Sequence, residues 1–213
     1  IEFLLPDSTK GWLNSGAKLK YPSEFSSHRK VELVGEAYFE VKHLDNSDFM
    51  VGVKDMNIRV LGTKFNVSAY SNEAFTDVVL KEGKVEVKGT STDFKQILNP
   101  DEKISFNRET TDLKVNKVDA DLYAAWTNGY LVLDNEPLEQ AAKKMERWYG
   151  AEITITDEKL KNFRFKATFK DEPLEEVLRY ISMTTPLTYK IESRDQDNNG
   201  IVKKKQIIIS LKQ

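Results

Sequence analysis

Leu133–Ile155 reads LDNEPLEQAAKKMERWYGAEITI, and Phe169–Ile191 reads FKDEPLEEVLRYISMTTPLTYKI. Aligned without a gap, Leu133 falls on Phe169 and Ile155 on Ile191, a constant offset of 36 residues. Glu136, Pro137, Leu138 and Glu139 recur as Glu172, Pro173, Leu174 and Glu175. The apolar spacing recurs with them. Two copies are too few for a solenoid, in which each repeat needs stacked neighbours. The pattern therefore predicts a small pseudo-symmetric α+β domain built of duplicated βαβ units.

Each copy reads as strand, helix, strand. Pro137 and Pro173 are expected at the first helical position, where the missing N–H would have had no intrahelical partner. Glu139 and Glu175 set negative charge against the positive end of each helix. Leu138, Ala141, Ala142, Met145 and Trp148 follow the spacing of one buried helix face, and Leu174, Val177, Leu178 and Ile181 repeat it. Gly150 stops the first helix, and the second ends before Pro186. Glu152–Thr156 and Leu187–Glu192 alternate and carry β-branched residues, so they read as strands.

The chain has 213 residues, enough for two small domains. It has no cysteine, which excludes thiolate chemistry, cysteine zinc sites and disulfides. Its 32 basic and 34 acidic residues are interleaved, so no nucleic-acid-binding face is expected. The longest aliphatic run is Ile207–Ile209, far short of the ~20 residues that span a bilayer. Ile1 opens directly into a strand-like run, Ile1–Leu5, and the chain is read as a fragment of a longer protein.

Residues 1–118 carry β signals throughout. Val31, Leu33, Ala37, Phe39 and Val41 share one parity, while Glu32, Glu36, Glu40 and Lys42 share the other, so one face is expected to be buried and the other wet. Gly62 coincides with a phase shift before Phe65, Val67 and Ala69, which suggests a bulge or corner. Glu82-Gly83 marks a tight turn. Many short strands predict an all-β domain over 1–118, solenoid-like or a rolled sheet, with a sandwich as the alternative. Residues 119–126 read as a helical linker, and 127–213 as the α+β domain ending in strand Gln206–Leu211. Asn198-Asn199-Gly200 reads as a loop tip before that strand.

The β part resembles the periplasmic region of FecR-type anti-sigma regulators. The matching stretches are LPDSTKGWLN (Leu5–Asn14), KLKYPSEF (Lys18–Phe25), VELVGEAYFEV (Val31–Val41), IRVLGTKFNVSAY (Ile58–Tyr70) and VVLKEGKVEV (Val78–Val87). WTNGYLVLDNEPLEQAAKKMERWYGAEI (Trp126–Ile153) resembles the Bacteroidetes type, and the repeat domain is similar to the STN domains of secretins and TonB-dependent transducers. The resemblance departs at three positions: the family favours glycine at Ser8 and at Asp101, and a β-branched residue at Gly11. It implies a periplasmic domain of an inner-membrane protein without catalysis or cofactor. The implied partners are the signalling domain of a TonB-dependent transporter and, through a cytoplasmic segment outside this chain, an extracytoplasmic-function (ECF) sigma factor.

Residue chemistry offers few rivals. His28 and His43 lack metal-ligand spacing. Asp45, Asn46, Ser47 and Asp48 lack the closing glutamate of a calcium loop, and Glu36 with Glu40 could mimic a glycosidase pair but reads as a solvated strand face. Trp148 is expected in the core, Trp126 between the domains, and Tyr149 exposed. Candidate partner-binding residues are Tyr149, Lys203, Gln206, Ile208 and Ser210. The last three lie on Gln206–Leu211, read as an edge to which a partner strand could add. Lys203, Lys204 and Lys205 could steer an acidic partner. Two further classes stay open: a carbohydrate-binding or adhesin-like β module, and an enzyme of glycan metabolism.

Overall fold

Gly35 has φ +97°, a backbone conformation open to glycine alone at little cost, and it lies inside the strand Lys30–Glu40. Before it, the strand pairs with Lys18–Lys20 and Phe49–Gly52; from it onward, the strand pairs with Lys10–Leu13 and Lys64–Ala69. One strand thus belongs to two halves of a sheet. The computed structural model describes residues 1–25, 28–45, 47–192 and 204–212, and divides the chain into Ile1–Thr127 and Asn128–Gln213.

The first unit contains β1 (Glu2–Leu4), β2 (Lys10–Leu13), β3 (Lys18–Lys20), β4 (Lys30–Glu40), β5 (Phe49–Gly52), β6 (Met56–Val60), β7 (Lys64–Ala69), β8 (Phe75–Glu82), β9 (Val85–Gly89), β10 (Lys95–Leu98), β11 (Glu102–Asn107) and β12 (Leu113–Lys117). They form one sheet in the order β10-β9-β6-β5-β4-β7-β8-β11-β12, with β2 and β3 also on β4 and β1 on β2. The sheet curls so that both halves feed one core. Phe39 and Phe65 come from one half and stack at 5.3 Å; Phe49 comes from the other and meets Phe39 at 5.8 Å. All three rings are fully buried, each contributing about 1.5–3 kcal/mol relative to exposure. Of the arrangements read from the sequence, the rolled sheet is the one observed.

The three departures from the family pattern have physical counterparts. Ser8 and Asp101, where glycine is usual, have φ +67° and +62°. At Gly11 the Phe3 ring fills the space of a side chain, its Cζ 2.2 Å from where a Cβ would stand. The turn at Ser8 is held by a buried pair: Arg29 Nε donates to Asp7 Oδ2 at 2.8 Å, while its other nitrogens donate to the carbonyls of Ser47 and Lys42. The phase shift near Gly62 corresponds to a register irregularity at Lys64/Phe65, with Gly62 itself in the β6–β7 connection.

Two expectations about this unit need correction. Period-two alternation holds from Val31 to Gly35 and then fails, because Ala37, Tyr38 and Phe39 are all buried. The second face is covered by the segment expected to be a linker. Helix α1 (Ala120–Ala124) and a 3-10 turn (Ala125–Asn128) follow β12, and α1 packs on β7 and β8 with Ala120 and Ala124 buried. Trp126 Nε1 donates to Asn66 Oδ1 at 3.2 Å, and Asn66 Nδ2 donates to Glu36 Oε1 at 2.9 Å. Asn14 Nδ2 donates to the other Glu36 oxygen at 2.8 Å. Glu36 is therefore a hydrogen-bonded strut, not part of a solvated face, and Trp126 is fastened to the β unit. Burial under this cover, followed by the nearby Glu40 charge, pushes the Tyr38 phenol well above its usual range.

The second unit contains β13 (Leu131–Pro137), α2 (Leu138–Tyr149), β14 (Ala151–Ile155), α3 (Glu158–Lys161), β15 (Arg164–Phe169), α4 (Leu174–Thr184), β16 (Leu187–Glu192) and β17 (Lys205–Leu211). Each repeat copy is a strand, a helix and a strand, but the copies are not βαβ units of one sheet. Their first strands pair antiparallel, β13 with β15; their second strands, β14 and β16, lie on either side of β17 in a separate sheet. The helices bury Leu138, Ala141, Ala142 and Met145, and Leu174, Val177, Leu178 and Ile181. The prolines sit one position earlier than expected, as N-caps with extended backbone, and Gly150 closes α2 in the left-handed conformation.

Candidate functional site

The second unit presents the outer face of its three-stranded sheet, and three sequence-predicted residues meet there. On β17, Ile207 and Ile209 face the core, while Gln206, Ile208 and Ser210 are half-buried on the opposite side. Register puts Glu152 and Glu192 beside Gln206, Thr154 and Lys190 beside Ile208, and Thr188 beside Ser210. Gln206 Nε2 donates to Glu152 Oε2 at 2.6 Å. Ile208 is thus one aliphatic side chain in a polar row. The edge reading of Gln206–Leu211 does not hold: β17 is the central strand, its backbone paired with β14 on one side and β16 on the other. Sequence alternation identifies faces, but lateral position depends on distant partners. Lys203 lies outside the described residues, as does the expected loop tip at 198–200. Lys204 is exposed, and Lys205 opens β17 and pairs with Glu175.

Tyr149 is not the exposed aromatic that the helix pattern suggested. Its hydroxyl donates to the Glu172 carbonyl at 2.7 Å, tying the end of the first copy's helix to the start of the second copy. Burial, then the charges of Glu172 and Glu175, push its pKa up to about 12. Trp148 packs half-buried against the core.

The repeated glutamates do the same work twice. Glu136 Oε1 accepts from the backbone N–H of Asp134 at 3.1 Å, and Glu172 Oε2 accepts from the N–H of Lys170 at 2.6 Å. Each carboxylate folds back two residues and fixes the turn into its helix. The backbone N–H of Lys170 holds the half-buried Glu172 carboxyl below its ordinary range. Glu136 is almost fully buried and also receives Lys144 Nζ at 2.7 Å. Lys144 donates as well to the Val132 carbonyl at 3.1 Å, and Glu146 Oε1 accepts from Ile153 N–H at 2.8 Å. Sequence reading placed Lys144 merely off the buried face; recurrence of Glu136 as Glu172 was the signal for the turn.

Metal chemistry finds no support among the described residues, which hold no cluster of three or more His, Cys, Asp or Glu side chains. His43 pairs with Asp45 at 3.3 Å on the surface, His28 is exposed, and Asp48 accepts from Arg59 Nε at 2.6 Å. Asn46 lies outside the described residues.

The chain is a rolled β unit followed by helices flanked by two small sheets, and the carboxylates Glu36, Glu136 and Glu172 serve as hydrogen-bonded struts within it. The chain belongs to the FecR family: the FecR protein model matches residues 1–86, and the model for the FecR C-terminal region matches residues 130–197. It is similar to a crystal structure of a candidate anti-sigma factor from Parabacteroides distasonis, at 29% identity and TM-score 0.87, covering 100% of this chain and 94% of that one. A second crystal structure bearing the same description gives TM-score 0.84 at 29% identity, with the same coverage of both chains. No curated protein matches the chain. Among the described residues, no helix is long and apolar enough to cross a membrane.

Proposed function

We propose that this chain is the periplasmic sensor part of a FecR-like anti-sigma regulator. It receives a signal from a TonB-dependent outer-membrane transporter and relays it towards an ECF sigma factor held by a cytoplasmic segment outside this chain. The observation that carries the reading is the likeness to a candidate anti-sigma factor along all of this chain, together with FecR family matches in both units. The second unit, 128–213, is the docking module, and the β unit is a rigid spacer. The role is binding rather than catalysis, in keeping with carboxylates such as Glu36 and Glu136 that serve as hydrogen-bonded struts.

The test is a calorimetric titration of the whole chain with the purified signalling domain of the transporter encoded beside it. Saturable one-to-one binding is expected. Absence of binding to that domain, with the chain folded by circular dichroism, overturns the proposal. Ile208→Lys separates surface from core: its half-buried position in a polar row predicts that melting changes little, so any large loss of affinity places docking on the three-stranded sheet's outer face.

A further inference from the structure

The smaller sheet of the second unit has one closed edge and one open edge. On β13, the Val132 carbonyl points away from β15 and is taken by Lys144, and the Asp134 N–H is taken by Glu136. In an antiparallel ladder, residues that face each other share their backbone direction. Val132 faces Thr168, so Thr168 also points its N–H and C=O outward. Phe163 accepts from Leu138 N–H, which fixes the alternation at the other end of β15. The backbone groups of Arg164, Lys166 and Thr168 therefore face away from β13. Among the described residues, no strand pairs with that side of β15.

The contrast extends to the larger sheet, where Glu146 occupies the Ile153 N–H of edge strand β14. Side chains thus blunt the β13 and β14 edges, while among the described residues no such contact covers the outward backbone of β15 or of β16, and it is basic charge that distinguishes β15. A pair of strands is marginal alone, and a third adds a second ladder. The open edge also carries charge. Arg164 and Lys166 are exposed on one face of β15, and Lys170 follows over the Tyr130 ring at 5.1 Å. Lys166 is 80% exposed and meets Asp134 only at 3.6 Å, so its charge is available to a newcomer.

Resting on the docking role proposed above, we infer that the β15 edge receives an extended segment of the partner protein as a third strand, with acidic side chains on the face shared by Arg164 and Lys166. Backbone hydrogen bonds from Arg164, Lys166 and Thr168 supply the pairing, and the basic side chains select the segment.

The test is amide hydrogen exchange of the whole chain, free and saturated with the transporter's signalling domain. Exchange at Arg164, Lys166 and Thr168 is expected to slow by about tenfold or more on strand pairing, with Tyr189 and Ile191 on edge strand β16 unchanged. The Arg164→Glu/Lys166→Glu double variant is expected to lose about tenfold or more in affinity at low salt, and to melt close to the parent, because the contacts it removes, Arg164 to Asn135 and Lys166 to Asp134, are surface ones. Binding with protection on β16, on the outer face alone or on no edge overturns the β15 assignment while leaving docking intact, as does full affinity in the double variant. No binding by the parent chain overturns both.

Discussion

Replacing Gly35 by alanine perturbs the point where β4 passes between the two halves of the rolled sheet. The added Cβ would stand 2.6 Å from Ala17 Cα and 2.7 Å from Ala17 Cβ, distances that real Cβ atoms do not tolerate, so backbone must shift. Such overpacking costs about 1–3 kcal/mol. The φ of +97° adds strain of about 1–3 kcal/mol for a residue with a side chain. Reduced freedom of the unfolded chain returns about 0.4–1 kcal/mol. The net loss is about 1–5.5 kcal/mol, which for a unit of this size lowers the melting temperature by roughly 4–22 °C. Gly16→Ala is the control, since Gly16 has φ +73° but open space around its missing side chain, so only the strain applies. Thermal and urea melting followed by circular dichroism read both variants. A Gly35→Ala loss below about 1 kcal/mol, or one equal to that of Gly16→Ala, would refute the close contact with Ala17 as the cause.

Arg29→Met should cost about 3–5 kcal/mol, because it leaves the Asp7 charge buried without its partner and frees the Ser47 and Lys42 carbonyls, and urea melting measures it. Glu136→Gln should cost about 1.5–3 kcal/mol through the weakened Lys144 bond, whereas Glu172→Gln, only half-buried at the equivalent repeat position, should shift melting less; equal shifts would contradict the burial difference. The Tyr149 phenol titrates near 12 when folded against about 10 unfolded, so the folded state keeps its proton longer and stability falls as pH rises from about 10 to 12. Tyr149→Phe should flatten the melting-temperature slope in that window, and an unchanged slope would rule out this tyrosine as a source. Ser8→Gly should leave stability equal or raise it by up to about 1 kcal/mol, since glycine relieves the positive φ but frees the unfolded chain.

The helices of the repeat were legible because their buried stripes, first-turn glutamates and terminal glycine are all local signals. Strand positions in the β unit were legible for the same reason. What escaped was everything set by distant partners. Nothing near Gln206 says that β14 and β16 will close on both sides of it, so a central strand read as an edge. Residues 119–126 read as a helical linker because two buried alanines and a half-buried tryptophan bonded to Asn66 do not show in sequence which unit the helix will cover. Glu36 read as wet because parity assigns a face but not the segment that later covers it. The same limit applied at Tyr149, whose partner is a backbone carbonyl in the other copy.

The central place of β17 sets an order of events during synthesis. Glu152 meets Gln206, 54 positions further along, so β14 is made well before the strand that closes on it, whereas β16 directly precedes β17 in the chain. A ribosome delivers β13 and β15 in time to pair, while β14 waits for β17 with its ladder unmade. Adding β14 to the sheet is then a late, long-range step, whereas β16 and β17 pair as chain neighbours. β17 carries the backbone pairing of both β14 and β16, which makes Lys205–Leu211 the segment that holds the three strands together.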